Sequence, residues 1–258
     1  MRIATFNVNS IKAHLEQVLT WTKAFAPDVL CLQEIKCVDE NFPRLEFEAM
    51  GYQCALFGQK TYNGVALLSK FALEDITRGL PGFEDEQSRY IEAMVMRKEA
   101  PVRVASIYLP NGNPSGTEKY AYKLAFMEAL RRHAKDVLAL EEPTVLAGDY
   151  NVIQEPCDVY DPDGWREDAL FRRETRLAFA ALANQGWTDA YRARHGEPNQ
   201  YSFWDYQAGA WAKNWGLRID HLLLSPQAAD RLTGSGIEKA VRGWERPSDH
   251  VPVWCALA

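Results

Sequence analysis

No apolar run among these 258 residues reaches the ~18 positions that a membrane-spanning helix needs. No signal peptide is visible: Met1-Arg2 leads straight into a strand-like segment, and Lys12, His14 and Glu16 interrupt any apolar stretch behind it. The chain is therefore expected in the cytoplasm, with no membrane partner. Cysteine is scarce. Cys31, Cys37, Cys54, Cys157 and Cys255 are odd in number, scattered and without a C-x-x-C pair, which excludes a disulfide framework or a zinc cluster as the organising feature. Cys31 and Cys54 lie in strand-like runs and read as small buried hydrophobes. Positive charge is not in excess: the net charge of -6 argues, taken alone, against a nucleic-acid partner. Neither a fixed-period repeat nor a linker-like segment interrupts the chain, so a single domain over residues 1–258 is expected.

What remains is an ordinary globular composition, 25% charged and 47% hydrophobic, cut into short elements. Strands are predicted near residues 2–8, 28–33, 52–57, 64–69, 90–97, 102–109, 144–149, 199–206, 217–224 and 251–257. Ser10 is placed to cap a helix carrying Leu15, Val18, Leu19 and Thr22 on one face. The longest helical pattern runs from Thr117 to Leu140, and a shorter one carries Leu177, Phe179, Leu182 and Ala183. Helices separate some strands, but residues 52–109 hold several strands in succession, which predicts two mixed sheets packed face to face with helices outside. The irregular stretch from Ile153 to Leu170, with Pro156, Pro162 and Gly164, is long for a compact domain and marks a functional loop.

Several apolar segments end in polar tips. Val145-Leu-Ala-Gly-Asp149-Tyr-Asn151 projects a carboxylate and a carboxamide from a strand end, Ile3-Ala-Thr-Phe-Asn7 an amide, and Val29-Leu-Cys-Leu-Gln-Glu34 a glutamate. Leu217-Arg-Ile-Asp220-His221 and Pro247-Ser-Asp249-His250 add two more. Each one alone reads equally well as a turn, a cap or a solvated charge. Together they suggest a catalytic edge, because strand ends and loops are where sheet scaffolds gather reactive groups. If these carboxylates converge near 4 Å, each pair repels by about 4 kcal/mol at an effective dielectric of 20, so the cluster needs a proton or a cation. Oxygen donors with few imidazoles favour Mg²⁺, with Mn²⁺ as substitute, over zinc. The implied chemistry is attack of water on a phosphodiester. A basic rim for phosphates is available in Lys36, Lys60, Arg89, Lys119, Lys123, Arg172, Arg173, Arg176, Lys213 and Arg218, any of which reads alternatively as a solvated charge.

The blocks Ile3-Ala-Thr-Phe-Asn-Val-Asn-Ser, Leu32-Gln-Glu-Ile-Lys36, Gly58-Gln-Lys-Thr-Tyr-Asn-Gly-Val65, Tyr108-Leu-Pro-Asn-Gly112, Gly148-Asp-Tyr-Asn151, Gly216-Leu-Arg-Ile-Asp-His221 and Pro247-Ser-Asp-His250 occur in one order along the whole chain. In that order the chain resembles the exonuclease III family of abasic-site endonucleases, in its bacterial form, within the DNase I-like superfamily. The resemblance implies a four-layer α/β sandwich. It implies Glu34 as principal metal ligand, helped by Asn7 and Asp249, with Asp149, Asn151 and His250 close enough to share the site. Asp149 would orient and deprotonate the attacking water, Asn151 donate to the phosphate, and His250 contact the scissile phosphate with its tautomer held by Asp220. Tyr108, otherwise a strand aromatic, would donate to phosphate as a protonated phenol.

The aromatic stretch Tyr201-Ser-Phe203-Trp204-Asp205-Tyr206, with Trp211 and Trp215, reads by itself as core. By resemblance Phe203, Leu217 and Ile219 wall a pocket for an extruded abasic sugar, Leu217 standing where eukaryotic relatives carry tryptophan. Lys36, Arg89, Asn111 and Trp211 would touch the DNA. The activity implied is Mg²⁺-dependent cleavage 5′ of abasic sites in double-stranded DNA, together with 3′–5′ exonuclease and 3′-phosphatase or phosphodiesterase processing of recessed or blocked 3′ ends, by a monomer. A superfamily relative acting on RNA or a small phosphoester, and a catalytically silent DNA-binding protein, are the alternatives.

Overall fold

The computed structural model describes every residue, Met1–Ala258. Twelve strands form two sheets of six. The first orders β11 (Leu232–Ile237), β12 (Val253–Leu257), β1 (Arg2–Asn7), β2 (Val29–Gln33), β4 (Val65–Ser69) and β3 (Gln53–Phe57) side by side. The second orders β5 (Ala72–Arg78), β6 (Tyr90–Met96), β7 (Val102–Tyr108), β8 (Thr144–Asp149), β10 (Asp220–Leu224) and β9 (Thr188–Asp189). Parallel pairing occurs between β1 and β2 and between β7 and β8, and the remaining pairs are antiparallel, so both sheets are mixed as expected.

Side chains alternate across a strand, and the alternation builds three apolar layers. Ile3, Val29, Cys31, Val65 and Leu67 of the first sheet meet Val104, Val145, Ala147 and Leu222 of the second in the central core. On the outer face of the first sheet, Ala4, Phe6, Leu30 and Leu32 pack on Val18 and Trp21 of helix α1 (Leu15–Phe25) and on Phe47 of α2 (Arg44–Glu48). On the outer face of the second, Ala105, Ile107 and Leu146 pack on Phe126, Met127 and Leu130 of α3 (Glu118–Leu138) and on Phe179 of α4 (Arg173–Ala183). Two one-turn helices, α5 (Ala210–Lys213) and α6 (Pro226–Ala229), complete the set. The order helix, sheet, sheet, helix is the four-layer sandwich.

Some local expectations are corrected. Residues 199–206 form no strand: only Phe203 is paired there, bridging Leu217 and His250. Ser10 caps no long helix; its hydroxyl accepts from Ala13 N–H, and α1 begins at Leu15 behind His14. Strands β5, β9 and β11 escaped the pattern. Strand β5 is an exposed, charged edge, ALEDITR, and β9 is two residues long. β11 reads LTGSGI because a Cβ at Gly236 would lie 2.9 Å from the indole of Trp254.

Candidate active site

The inward-facing positions of four strands change from apolar to polar toward one end of the sandwich. On β1 the sequence is Ile3, Thr5, Asn7; on β8 it is Val145, Ala147, Asp149; on β7 it is Val104, Ser106, Tyr108; on β10, antiparallel and read backwards, it is Leu224, Leu222, Asp220. A buried polar layer, Thr5 Oγ1 to Gln33 Oε1 and Gln33 Nε2 to Ser106 Oγ, separates the dry core from that end. Register holds Tyr108 and Asp220 on either side of Asp149. The glycine before Asp149 is required by close approach, since a Cβ at Gly148 would sit 2.1 Å from the Ile107 carbonyl oxygen.

Glu34 reaches the cluster through strained backbone. It follows the last residue of β2 at φ +51, and Asn9, Ser10, Lys36 and Asn151 around it are also left-handed, each at a cost of about 1–3 kcal/mol that the surroundings must offset. Asn7 Nδ2 donates to Glu34 Oε1 and to Asp149 Oδ2, both at 2.9 Å. Lys36 pairs with Glu34 Oε2 at 2.9 Å, and Asn9 Nδ2 donates to Asp249 Oδ1 at 3.1 Å. Burial pushes the Glu34 carboxyl up, but the Lys36 charge and the Asn7 bond more than offset it and leave it lowered.

On the opposite side, His250 Nδ1 bonds Asp220 Oδ2 at 2.9 Å, so Nε2 faces Asp149 Oδ2 at 3.7 Å. Ser202 Oγ donates to Asp220 Oδ2 at 2.6 Å and locks it. Burial opposes the imidazolium, yet the Asp220 and Asp149 carboxylates raise His250 to about 10. Burial also lifts Asp149 to about 7, the His250 charge opposing and Asp220 adding. Tyr108 is held well above its usual value by burial and by the Glu34 and Asp149 charges, so the phenol stays protonated. Asn151 Nδ2 donates to the Leu109 carbonyl at 2.9 Å, and Asn111 Nδ2 donates to Asn151 Oδ1 at 3.2 Å.

Glu34, Tyr108, Asn111, Asp149, Asn151, Phe203, Leu217, Ile219, Asp249 and His250 line one cleft of about 290 Å³, and Asn7 lies behind it, fully buried. The loop 153–170 contributes Trp165, Asp168 and Leu170 to the same wall. A larger groove, about 700 Å³, lies between that loop and α4, where Arg166 pairs with Asp163 and Arg176 with Glu155, Arg173 adds a further positive charge, and no cluster of acids gathers.

Not every expected residue is in the cleft. Lys123 does not belong to a solvent rim: it is fully buried and donates to the Asn111 and Asn151 carbonyls at 3.0 and 2.6 Å, tying both loops to α3. Arg218 is likewise buried, bonded to Asp158 at 2.8 Å and Asp189 at 2.7 Å. Trp211 packs edge-on against Trp204, centroids 5.0 Å apart, and does not line the cleft. Arg89 sits over the Tyr108 ring at 4.9 Å and donates to the Tyr108 carbonyl. Sequence reasoning assigned no role to Ser202 or to Asn9, two residues after Asn7 in the same polar tip; they hold Asp220 and Asp249, and no spacing signal gives that task to a serine inside an aromatic run.

Glu34, Asp149, Asp168, Asp205 and Asp249 line the cleft and Asp220 lies behind His250, so acids outnumber the cations Lys36 and His250 there, an imbalance that a divalent ion would reduce. Asp149, Asp220 and His250 lie close enough to hold an ion between them. An imidazolium committed to Asp220 offers no lone pair, however, so the oxygens of Glu34, Asp249 and Asn7, which keep lone pairs beside the contacts they make with Asn7, Lys36 and Asn9, suit a cation better.

The profile of the Endonuclease/Exonuclease/phosphatase family matches residues 4–250. The exodeoxyribonuclease III of Haemophilus influenzae is 34% identical, over 98% of this chain and 98% of its own. Among solved structures, the 3′ phosphatase NExo from Neisseria, bound to a product DNA hairpin, superposes with a TM-score of 0.95 at 37% identity, covering 100% of this chain and 99% of that one. An AP endonuclease from Archaeoglobus fulgidus superposes with a TM-score of 0.94 at 34% identity, over 100% and 99%.

Proposed function

The chain belongs to the endonuclease/exonuclease/phosphatase family, and from that premise we propose a single-domain, monomeric, cytoplasmic DNA repair nuclease that cuts 5′ of abasic sites and processes 3′ ends in double-stranded DNA. The observation that carries the reading is the convergence of Asn7, Glu34, Asp149, Asn151, Asp220, Asp249 and His250 from both sheets at one end of the sandwich, in a cleft whose other wall is apolar. Relatives of the same fold act on DNA by their names, and one is bound to it.

Each side chain has a task that its surroundings support. Glu34 and Asp249, with Asn7, would hold Mg²⁺ or Mn²⁺. The ion would neutralise charge building on the phosphate. Asp149, raised by burial, is the base poised to take a proton from water near neutral pH. His250, charged and held by Asp220, faces the position of the phosphate from the opposite side, and Tyr108 and Asn151 supply neutral donors to its oxygens. Phe203, Leu217 and Ile219 form the apolar wall that receives an extruded sugar, and Lys36, paired with Glu34, and Arg89, over the Tyr108 ring, are the cations next to the cleft residues on the other side.

The test is cleavage of a duplex carrying a stable abasic analogue, beside degradation of an intact recessed 3′ end, each with Mg²⁺ and with excess EDTA. Metal-dependent cutting of one or both is expected. Undiminished cutting in EDTA would remove the cation from the site. Cleavage of neither DNA, with turnover of a small phosphoester, would overturn the DNA reading.

A further inference from the structure

Large aromatic rings left in water forgo burial, so a pair kept ordered at the surface calls for a partner. Tyr160 and Trp215 are 37% and 38% exposed. They nevertheless stack on each other, centroids 5.3 Å apart and planes within 12°. Trp165 meets Tyr160 edge-on at 6.3 Å, and Trp165 itself lines the acid cleft beside Phe203 and Leu217. The ridge is anchored to that wall: Tyr160 N–H donates to the Gly216 carbonyl, and Val159 bridges Leu217. Lys213 holds its ammonium 4.0 Å from the centroid of the Trp215 ring.

We propose that this ridge is a stacking platform for one unpaired base of the DNA strand, beside the phosphodiester being cut. The proposal rests on the DNA reading above. An aromatic pair already stacked, with an exposed cation on its face beside a phosphodiester cleft, matches what one nucleotide offers: a π face for the rings and a phosphate for the ammonium. A base inside a duplex has both faces covered by its neighbours. On the strand that is cut, a frayed or mismatched terminal base can swing out and present a free face, so the ridge favours ends whose terminal pair is broken. Lys213 then leaves the indole face for the nucleotide's phosphate. Neither Tyr160 nor Trp215 reaches the acids, so the platform acts on binding.

The experiment measures binding of the full chain, in EDTA so that no strand is cut, to two recessed 3′ ends that differ only in whether the terminal pair is matched. The wild type is expected to bind the mismatched end more tightly. Trp215→Ala should weaken that complex by roughly five- to hundredfold, the span of base–aromatic stacking, with little change for the matched end, and Trp215→Phe should restore most of the difference. Equal weakening on both ends, or no weakening on either, at an unchanged melting temperature, overturns the platform alone. A wild type that binds neither DNA and, given Mg²⁺, cuts neither would overturn the DNA reading and the platform with it.

Discussion

At the scale of single residues, the pairing of Asp220 with His250 assigns the tautomer: Nδ1–H points to the carboxylate and Nε2 to the cleft. Replacing either residue should injure the same step. His250→Asn and Asp220→Asn are each expected to lower kcat by about 10²–10³, the range for losing one preorganised donor to the developing charge, with modest change in DNA binding. The double variant should lose much less than the sum; additive losses in that cycle would separate the two residues. A second buried carboxylate speaks of stability instead. Glu92 accepts from the Tyr90 hydroxyl at 2.6 Å and lies 3.0 Å from His133 Nε2 and 3.3 Å from an Arg103 nitrogen. Burial pushes it up, but the His133 and Tyr90 bonds and the nearby cations leave it lowered. A carboxyl depressed in the folded state stabilises above its unfolded value, near ~4.3, and that gain is lost as pH falls through the folded value. The melting-temperature gap between wild type and Glu92→Gln should therefore be widest near neutral pH and shrink in acid. A gap that stays constant or widens in acid contradicts the assignment.

At the scale of elements, the cleft exists because inward-facing positions run apolar, then neutral polar, then charged along strands that end together. The close packing of β7 on β8 is part of this. Gly148→Ala would drive a methyl to 2.1 Å from the Ile107 carbonyl, and backbone cannot yield as a flexible side chain does. The variant is expected to lose at least about 1–3 kcal/mol of stability, as overpacking does, and to lose activity per folded molecule because Asp149 shifts with its strand. A melting curve and specific activity both matching wild type would show that the ladder adapts.

At the scale of the whole molecule, a net charge of -6 and a DNA substrate are reconciled by placement. The excess of negative charge is partly invested in the cleft, where acids outnumber the cations Lys36 and His250, while Lys213 is exposed outside it. Binding to a duplex should fall steeply with salt, by a power set by the number of phosphates neutralised. A Kd independent of salt between about 50 and 200 mM would instead point to a small phosphoester.

The residues themselves determined the layers, because periods of two and of 3.6 must each find an apolar partner face. The blocks around Asn7, Glu34, Asp149, Asp220 and Asp249 were legible as polar tips for the same reason. Three things were decided only by tertiary structure. A basic residue's place is invisible in its letter, and Lys123 and Arg218 are buried because carbonyls and carboxylates await them inside. Residues 199–206 have strand-like composition, but their backbone bonds are scattered over Cys157, Leu217, Asp249 and Val251 and only Phe203 forms bridges, so no ladder develops. Glu34 follows the strand in a left-handed turn that no pattern announces, because its partner Asn7 is 27 residues away in the chain and comes beside it only when β1 and β2 pair, with Lys36 completing the contact.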